Sequence, residues 1–163
     1  MERDTAPLSL PPSVTRSTAS ASQVPMISVA SVMTRDLVTL TPRDTVRRAA
    51  ELMRSHEIRH IPVVGERGEL VGMVSDRDLR EYTLPTLVQV RDPAQHRAFQ
   101  NTPLNELMRT ALICVRPDEP IQRAIEIMLD YSVGAVPVVR DEAGTLCGIV
   151  SYVDVLWVAA RVL

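Results

Sequence analysis

The chain is 163 residues long, 45% apolar and 23% charged, with a net charge of −2 at neutral pH. That length suits one domain, or two half-domains sharing a core, and buries enough surface to need neither disulfide nor metal. The near-neutral charge gives no electrostatic case for nucleic acid or an anionic membrane as partner, and no apolar run reaches the ~20 residues that a membrane span requires.

Residues 1–27 are dominated by Ser, Thr, Ala and Pro, with Pro7, Pro11, Pro12 and Pro25, and have little to bury. Such a segment cannot offset its ordering entropy and reads as a disordered tail. Glu2, Arg3 and Asp4 are followed by no continuous apolar core, which argues against a signal peptide and makes the cytoplasm the default location.

The folded part is expected from Ser28, with a first unit over 28–82. A short extended piece, Val38 to Leu40, precedes Pro42, which disfavours helix before it. Asp44 is placed to cap a helix whose apolar positions Val46, Ala49, Ala50 and Met53 follow helical spacing. His60 to Val64 and Leu70 to Ser75 are β-rich runs joined by a glycine-containing turn, which predicts a hairpin. A second helix begins at Asp76, and a polar linker covers 83–102.

The second unit, 103–163, repeats the first. Met33, Pro42, Val46, Ala49, Met53, Pro62 and Val63 recur as Met108, Pro117, Ile121, Ala124, Met128, Pro137 and Val138. One residue is then inserted in the hairpin turn, where an addition costs least, and Gly72, Val74, Ser75 and Asp78 recur as Gly148, Val150, Ser151 and Asp154. Ile113 to Val115, a helix capped by Asp118, Ala135 to Val139, Leu146 to Ser151 and a helix from Tyr152 complete it. Each unit is therefore an α/β unit of order β-α-β-β-α. Two copies are too few for a solenoid, so they should pack face to face as one body. The last stretch, from Val153, is apolar nearly all round, which predicts burial, here in a homodimer face. Cys114 and Cys147 lie in apolar surroundings with no metal or disulfide spacing, as expected of reduced, half-buried thiols.

No nucleophile elbow, P-loop, Gly-x-Gly-x-x-Gly or histidine cluster is present, which puts binding ahead of catalysis and makes the chain a non-enzyme. Asp76 and Asp78 supply too few ligands for a magnesium ion. Ser75-Asp76-Arg77-Asp78 and Ser151-Tyr152-Val153-Asp154 each lie where a strand runs into a helix. The plain reading is a capping box, in which serine caps the helix and the acid bonds back. The same geometry offers free N–H groups to a phosphate and a carboxylate to a ribose diol.

The region from Ser28 to Leu163 resembles a tandem pair of cystathionine β-synthase (CBS) domains, a Bateman module. The likeness rests on Val32-Met33-Thr34, Arg59-His60-Ile61-Pro62-Val63-Val64 and Gly72 to Leu79, and on Leu107-Met108-Arg109, Gly134 to Val139 and Gly148 to Asp154. It implies a pseudo-twofold body with two clefts for the adenosine of AMP, ADP, ATP, S-adenosylmethionine or NAD, acting as a regulatory ligand rather than a cofactor. Carried over residue by residue, one cleft uses Ser75 and Asp78 with Ile113, Arg116, Ile121 and Val133. The other uses Ser151 and Asp154 with Val38, Thr41, Val46 and Ile58. Arg59 and His60, where the second copy has Gly134 and Ala135, together with Arg77, mark the first cleft as the better phosphate site. The implied role is a stand-alone sensor, commonly a homodimer, that alters an unidentified partner protein through its shape. The alternative is a dimerisation or scaffold module with non-binding clefts.

Overall fold

A computed structural model describes residues 26–83 and 93–162; the expected tail up to residue 25 lies outside the described residues, as do 84–92 of the expected linker. Both copies take the expected mixed helix and strand form. In the first, helix α1 (Val29–Val32) precedes α2 (Val46–Ser55), strands β1 (His60–Val64) and β2 (Leu70–Ser75), and α3 (Asp76–Thr83). Helix α4 (Pro93–Gln100) and a 3-10 turn, Leu104–Glu106, lead to α5 (Ile121–Asp130), β3 (Ala135–Val139), β4 (Leu146–Ser151) and α6 (Tyr152–Val162).

Each hairpin is antiparallel, with His60 opposite Ser75 and Ala135 opposite Ser151, and each carries a register shift at the same place, Val63/Val64 and Val138/Val139. The tight turns fall on Gly68 and Gly144, whose φ angles of +80° and +77° favour glycine. The expected first strand of each copy shrinks to one parallel bridge, Leu40 to Val63 and Val115 to Val138. Leu40 N–H donates to the Pro62 carbonyl at 3.1 Å and Val64 N–H donates to that of Leu40 at 2.8 Å.

Two expectations about helix starts are corrected. Asp44 is not the cap: it accepts from the N–H and hydroxyl of Thr41, at 2.7 and 2.8 Å, and Thr45 caps α2 through Arg48 N–H. Asp118 is not the cap either, because Glu119 is the residue that repeats Asp44, and its carboxylate accepts from Arg116 N–H at 2.6 Å. The acid closes the turn before the helix, so it is spent before the first orphan N–H arrives. The polar linker, too, contains a helix. Proline opens α4, its fixed φ being preorganised for a first helical position, and Phe99 meets Tyr82 of α3 edge-on, ring centroids 6.2 Å apart.

The copies exchange their leading segments. Val29 and Met33, at the start of the first copy, are buried with Val115, Ile121, Val136 and Val150 of the second. Leu104, at the start of the second copy, is buried with Val46, Ile61, Val63 and Val74 of the first. The hydrogen bonds repeat under this exchange: Val29 N–H donates to Glu119 O and Leu104 N–H to Asp44 O, both at 2.8 Å, while Ile121 N–H reaches Ile27 O and Val46 N–H reaches Thr102 O. Neither core is complete without chain from the other copy, so the pair is one cooperative unit with two cores.

The hydrophobic last helix is only half covered. Val155 packs against the second core, whereas Tyr152, Val153, Leu156 and Trp157 stand 40–65% exposed. Within the described chain, the expected burial of α6 on every side therefore does not occur.

Candidate functional site

The two Ser-x-x-Asp motifs form capping boxes of nearly identical geometry. Asp78 Oδ2 accepts from Ser75 N–H at 2.9 Å and from the Ser75 hydroxyl at 2.6 Å, while Asp78 N–H donates back to Ser75 Oγ at 3.3 Å. Asp154 and Ser151 do the same at 2.7, 2.6 and 3.3 Å. Each box holds its aspartate at the start of a helix with one carboxylate oxygen engaged, and the plain capping reading of the sequence is thus satisfied twice.

What differs is the second oxygen. Asp78 Oδ1 accepts from both Nε and a terminal nitrogen of Arg109, each at 3.1 Å. Arg109 belongs to the segment leading into the second copy and is held there by a two-way backbone bridge with Met73 of β2, both bonds 2.9 Å. Its repeat counterpart is Thr34, which pairs with Ile149 in the same way. Among the described residues no arginine reaches Asp154.

A groove of about 160 Å³ opens along this motif. Arg59, His60, Ser75, Arg77 and Asp78 of the first copy line one part of it, and Val133, Gly134, Ala135 and Tyr152 of the second line another. Asp76, Met73, Arg109 and Ser132 complete it. The hairpin starts are fixed by matching bonds, Asp76 N–H to Arg59 O at 2.9 Å and Tyr152 N–H to Gly134 O at 3.1 Å. A side chain at Gly134 would place its Cβ 2.9 Å from the His60 ring, so that glycine keeps the groove open beside the imidazole.

Burial pushes the Asp78 carboxyl up, but hydrogen bonds from Ser75 and the Arg109 guanidinium outweigh it and hold the group below the usual carboxylate range. Burial lowers His60 despite the attraction of Asp76 and Asp78, with Arg59 and Arg109 adding to the decrease, which favours a neutral ring. Burial alone raises the Cys114 thiol; Cys114 and Cys147 are both unpaired and half-buried.

Six of the expected site residues, Arg59, His60, Ser75, Arg77, Asp78 and Val133, therefore meet in one groove. Ile121 and Val46 do not: 4% and 0% exposed, they are core residues of α5 and α2. The first-turn apolar side chain faces its own hairpin, because that is where the helix buries its stripe. Ile113 and Val38 are half-buried against the same cores. Arg116 is exposed and reaches the Arg140 carbonyl at 3.4 Å, and Thr41 is exposed and hydrogen-bonded to Asp44. Ile58 lines a more open hollow of about 350 Å³ between α2 and α3, with Met53, Arg54, Glu57 and Leu79, which shares Arg59 and Asp76 with the groove. Met73, Asp76, Arg109, Ser132, Gly134, Ala135 and Tyr152 are the groove residues outside the expected set. Only a contact between segments 31 residues apart places Arg109 on Asp78, and no local pattern encodes that.

The CBS domain model matches residues 29–84 and 104–161. The chain is 36% identical over 129 residues to the CBS domain-containing protein YhcV of Bacillus subtilis, covering 79% of this chain and 83% of YhcV. It spans less than two thirds of other relatives, among them 23% of a homoserine O-acetyltransferase from Methanococcoides burtonii to which it is 33% identical. Of solved structures, CBSX2 in complex with AMP is 26% identical with a TM-score of 0.68, over 83% of this chain and 97% of that one. The CBS domain pair of protein MJ0100 in complex with 5′-methylthioadenosine and S-adenosyl-L-methionine is 26% identical with a TM-score of 0.66, over 82% and 99%. With two matched domains, two cores and one groove between the copies, the chain belongs to the CBS-domain family and is built as a CBS pair.

Proposed function

We propose that this CBS pair is a regulatory module, not an enzyme, whose grooves hold an adenosine-bearing ligand. The single observation that supports it most is the groove beside Asp78: a capping box at a helix start, with the arginines 59, 77 and 109 gathered around it and Val133 to Ala135 of the other copy as an apolar wall. A carboxylate, a helix start and guanidinium groups are what a ribose diol and a phosphate require. The AMP complex of CBSX2 and the adenosyl complexes of MJ0100 lend weight to that class of ligand. AMP, ADP or ATP suits the first groove; the second, with Val153 in place of Arg77 and with Tyr152, which also lines the first groove, in place of Asp76, suits a less charged adenosyl compound such as S-adenosylmethionine, or none. Ligand then shifts the balance between two arrangements of the copies by its difference in affinity for them, and a partner protein reads the change. The unpaired thiols fit a reducing compartment such as the cytoplasm.

The test is a thermal-shift panel of AMP, ADP, ATP, S-adenosylmethionine and NADH on the parent chain, Asp78→Asn and Asp154→Asn. Ligand at 100 times its Kd adds about 2.7 kcal/mol, a shift of several degrees. A nucleotide whose shift disappears in Asp78→Asn supports the reading. Silence from every compound at millimolar concentration hands the chain to the scaffold reading. That second reading has its own observation, the exposed apolar face of α6, which we assign to a second copy of this chain.

A further inference from the structure

We propose that Arg109 is a built-in competitor for Asp78, and that this competition makes the first groove selective for ligands carrying an anionic group. The inference rests on the adenosine-binding reading above and names a residue that decides between ligands. Asp78 has two oxygens to offer. Oδ2 is fully engaged by the N–H and hydroxyl of Ser75, bonds that also hold the start of α3. Oδ1 is what remains for a sugar diol, and Oδ1 is the atom that Arg109 occupies through two nitrogens. The Asp78 side chain is only 14% exposed, so there is little room to approach it from another side.

A ligand that takes Oδ1 therefore releases Arg109. The backbone of Arg109 is pinned to Met73, but its side chain is 58% exposed and free to swing. It swings in a groove that already contains Arg59 and Arg77. A neutral nucleoside leaves that guanidinium without the carboxylate it had. A phosphate, two of whose tetrahedrally arranged oxygens match the planar guanidinium fork, takes it up in exchange. The groove's volume agrees: about 160 Å³ is below the roughly 300 Å³ at which ligand pockets begin, and Arg109 and Asp78, bonded to one another, are both among its lining residues. Charge-assisted bonds of this kind are worth enough to shift affinity about tenfold, so the discrimination between phosphorylated and neutral ligand is of that order. The repeat position of Arg109 is Thr34, and among the described residues Asp154 meets no such competitor.

Isothermal titration with AMP and with adenosine tests this, in an Asp154→Asn background so that the first groove is read alone. Arg109→Met is expected to tighten adenosine by roughly tenfold while AMP stays level or weakens, so that the preference for AMP collapses. Arg109→Gln, which keeps the polar reach without the charge, is expected to move in the same direction by less. Thr34→Arg, made in an Asp78→Asn background, is expected to weaken a neutral ligand in the second groove. A ratio of affinities that Arg109→Met leaves unchanged, or adenosine binding that it weakens, overturns the exchange while AMP binding to the parent keeps the groove reading intact. If neither compound binds the parent chain or any variant, the groove reading falls and the exchange falls with it.

Discussion

Met33, in the leading segment of the first copy, is seated on Gly148 in β4 of the second. A Cβ at Gly148 would lie 2.5 Å from the Met33 sulfur and 3.3 Å from its Cβ. Met108 bears the same relation to Gly72, with 2.6 Å to its sulfur and 3.2 Å to the Arg109 carbonyl. The glycines are thus notches that admit the exchanged segments. Gly148→Ala should destabilise by about 1–3 kcal/mol through overpacking. Met33→Ala should cost about 2–5 kcal/mol through a cavity, Met33 being 7% exposed. The double variant should cost clearly less than the two together, by about 0.5–3 kcal/mol, since the new methyl group fills the space vacated. Urea denaturation of the four chains measures this, and simple additivity would show that the notch is not what holds the segment.

Helices α2 and α5 both end on a residue in the left-handed region, Glu57 at φ 55° and Ser132 at φ 52°. The following N–H groups, of Ile58 and Val133, turn back to the carbonyls of Met53 and Met128 at 3.0 and 3.2 Å, completing Schellman closures. A side chain in that conformation costs about 1–2 kcal/mol, which glycine recovers less its own greater chain entropy. Glu57→Gly, at an exposed position, should therefore raise stability by about 0.5–1 kcal/mol and the Tm by a few degrees. A fall in Tm by scanning calorimetry would contradict this.

The repeat made most of this fold legible, because the patterns that recur in the sequence are local: the hairpin runs, the paired glycines, the serine and aspartate of the box. The exchange of leading segments was not legible. Val29 and Leu104 repeat each other, so their spacing is the same whether each packs on its own copy or on the other. The same ambiguity hid Arg109, whose partner lies across the pair. Val46 and Ile121 were expected on the groove walls by analogy of position, but the amphipathic stripe of a short helix claims its first apolar residue for the core. Asp118 looked like a cap because it stands one residue from Glu119, which the repeat register aligns with Asp44.

His60 gives the pair a pH dependence of predictable sign. Burial lowers its folded-state pKa below the ordinary 6.5, so the unfolded chain binds the proton first as the pH falls. Stability supplied by the neutral ring is then fully present above 6.5 and is lost progressively below it, until the folded pKa is passed. Asp76 and Asp78 moderate the loss by attracting the charged ring; Arg59 and Arg109 sharpen it. Melting curves from pH 7.5 to about 5 should show the parent losing more Tm than His60→Gln. Parallel profiles for the two chains would remove His60 from the account.

The exposed face of α6 differs from its counterpart in a way that orients any dimer. Leu129, Tyr131, Tyr152, Val153, Leu156 and Trp157 are exposed large apolar residues of the second copy. At the positions that repeat the first five of these, the first copy has Arg54, His56, Asp76, Arg77 and Arg80. A face without charge has nothing to offer a face of mixed charge, whose groups would be desolvated without gaining a partner. The apolar face is complementary to itself, as a twofold interface must be. Two chains should therefore meet second copy to second copy, with the charged faces of the first copies not forming the primary seam. Leu156→Arg is expected to yield a monomer in sedimentation, while Arg80→Leu leaves the dimer intact. Trp157 is the sole tryptophan, so its emission should move to longer wavelength on dilution of the parent and be concentration-independent in Leu156→Arg. A parent that sediments as a monomer at every concentration, or a Leu156→Arg chain of unchanged mass, would place the partner of this face outside the chain itself.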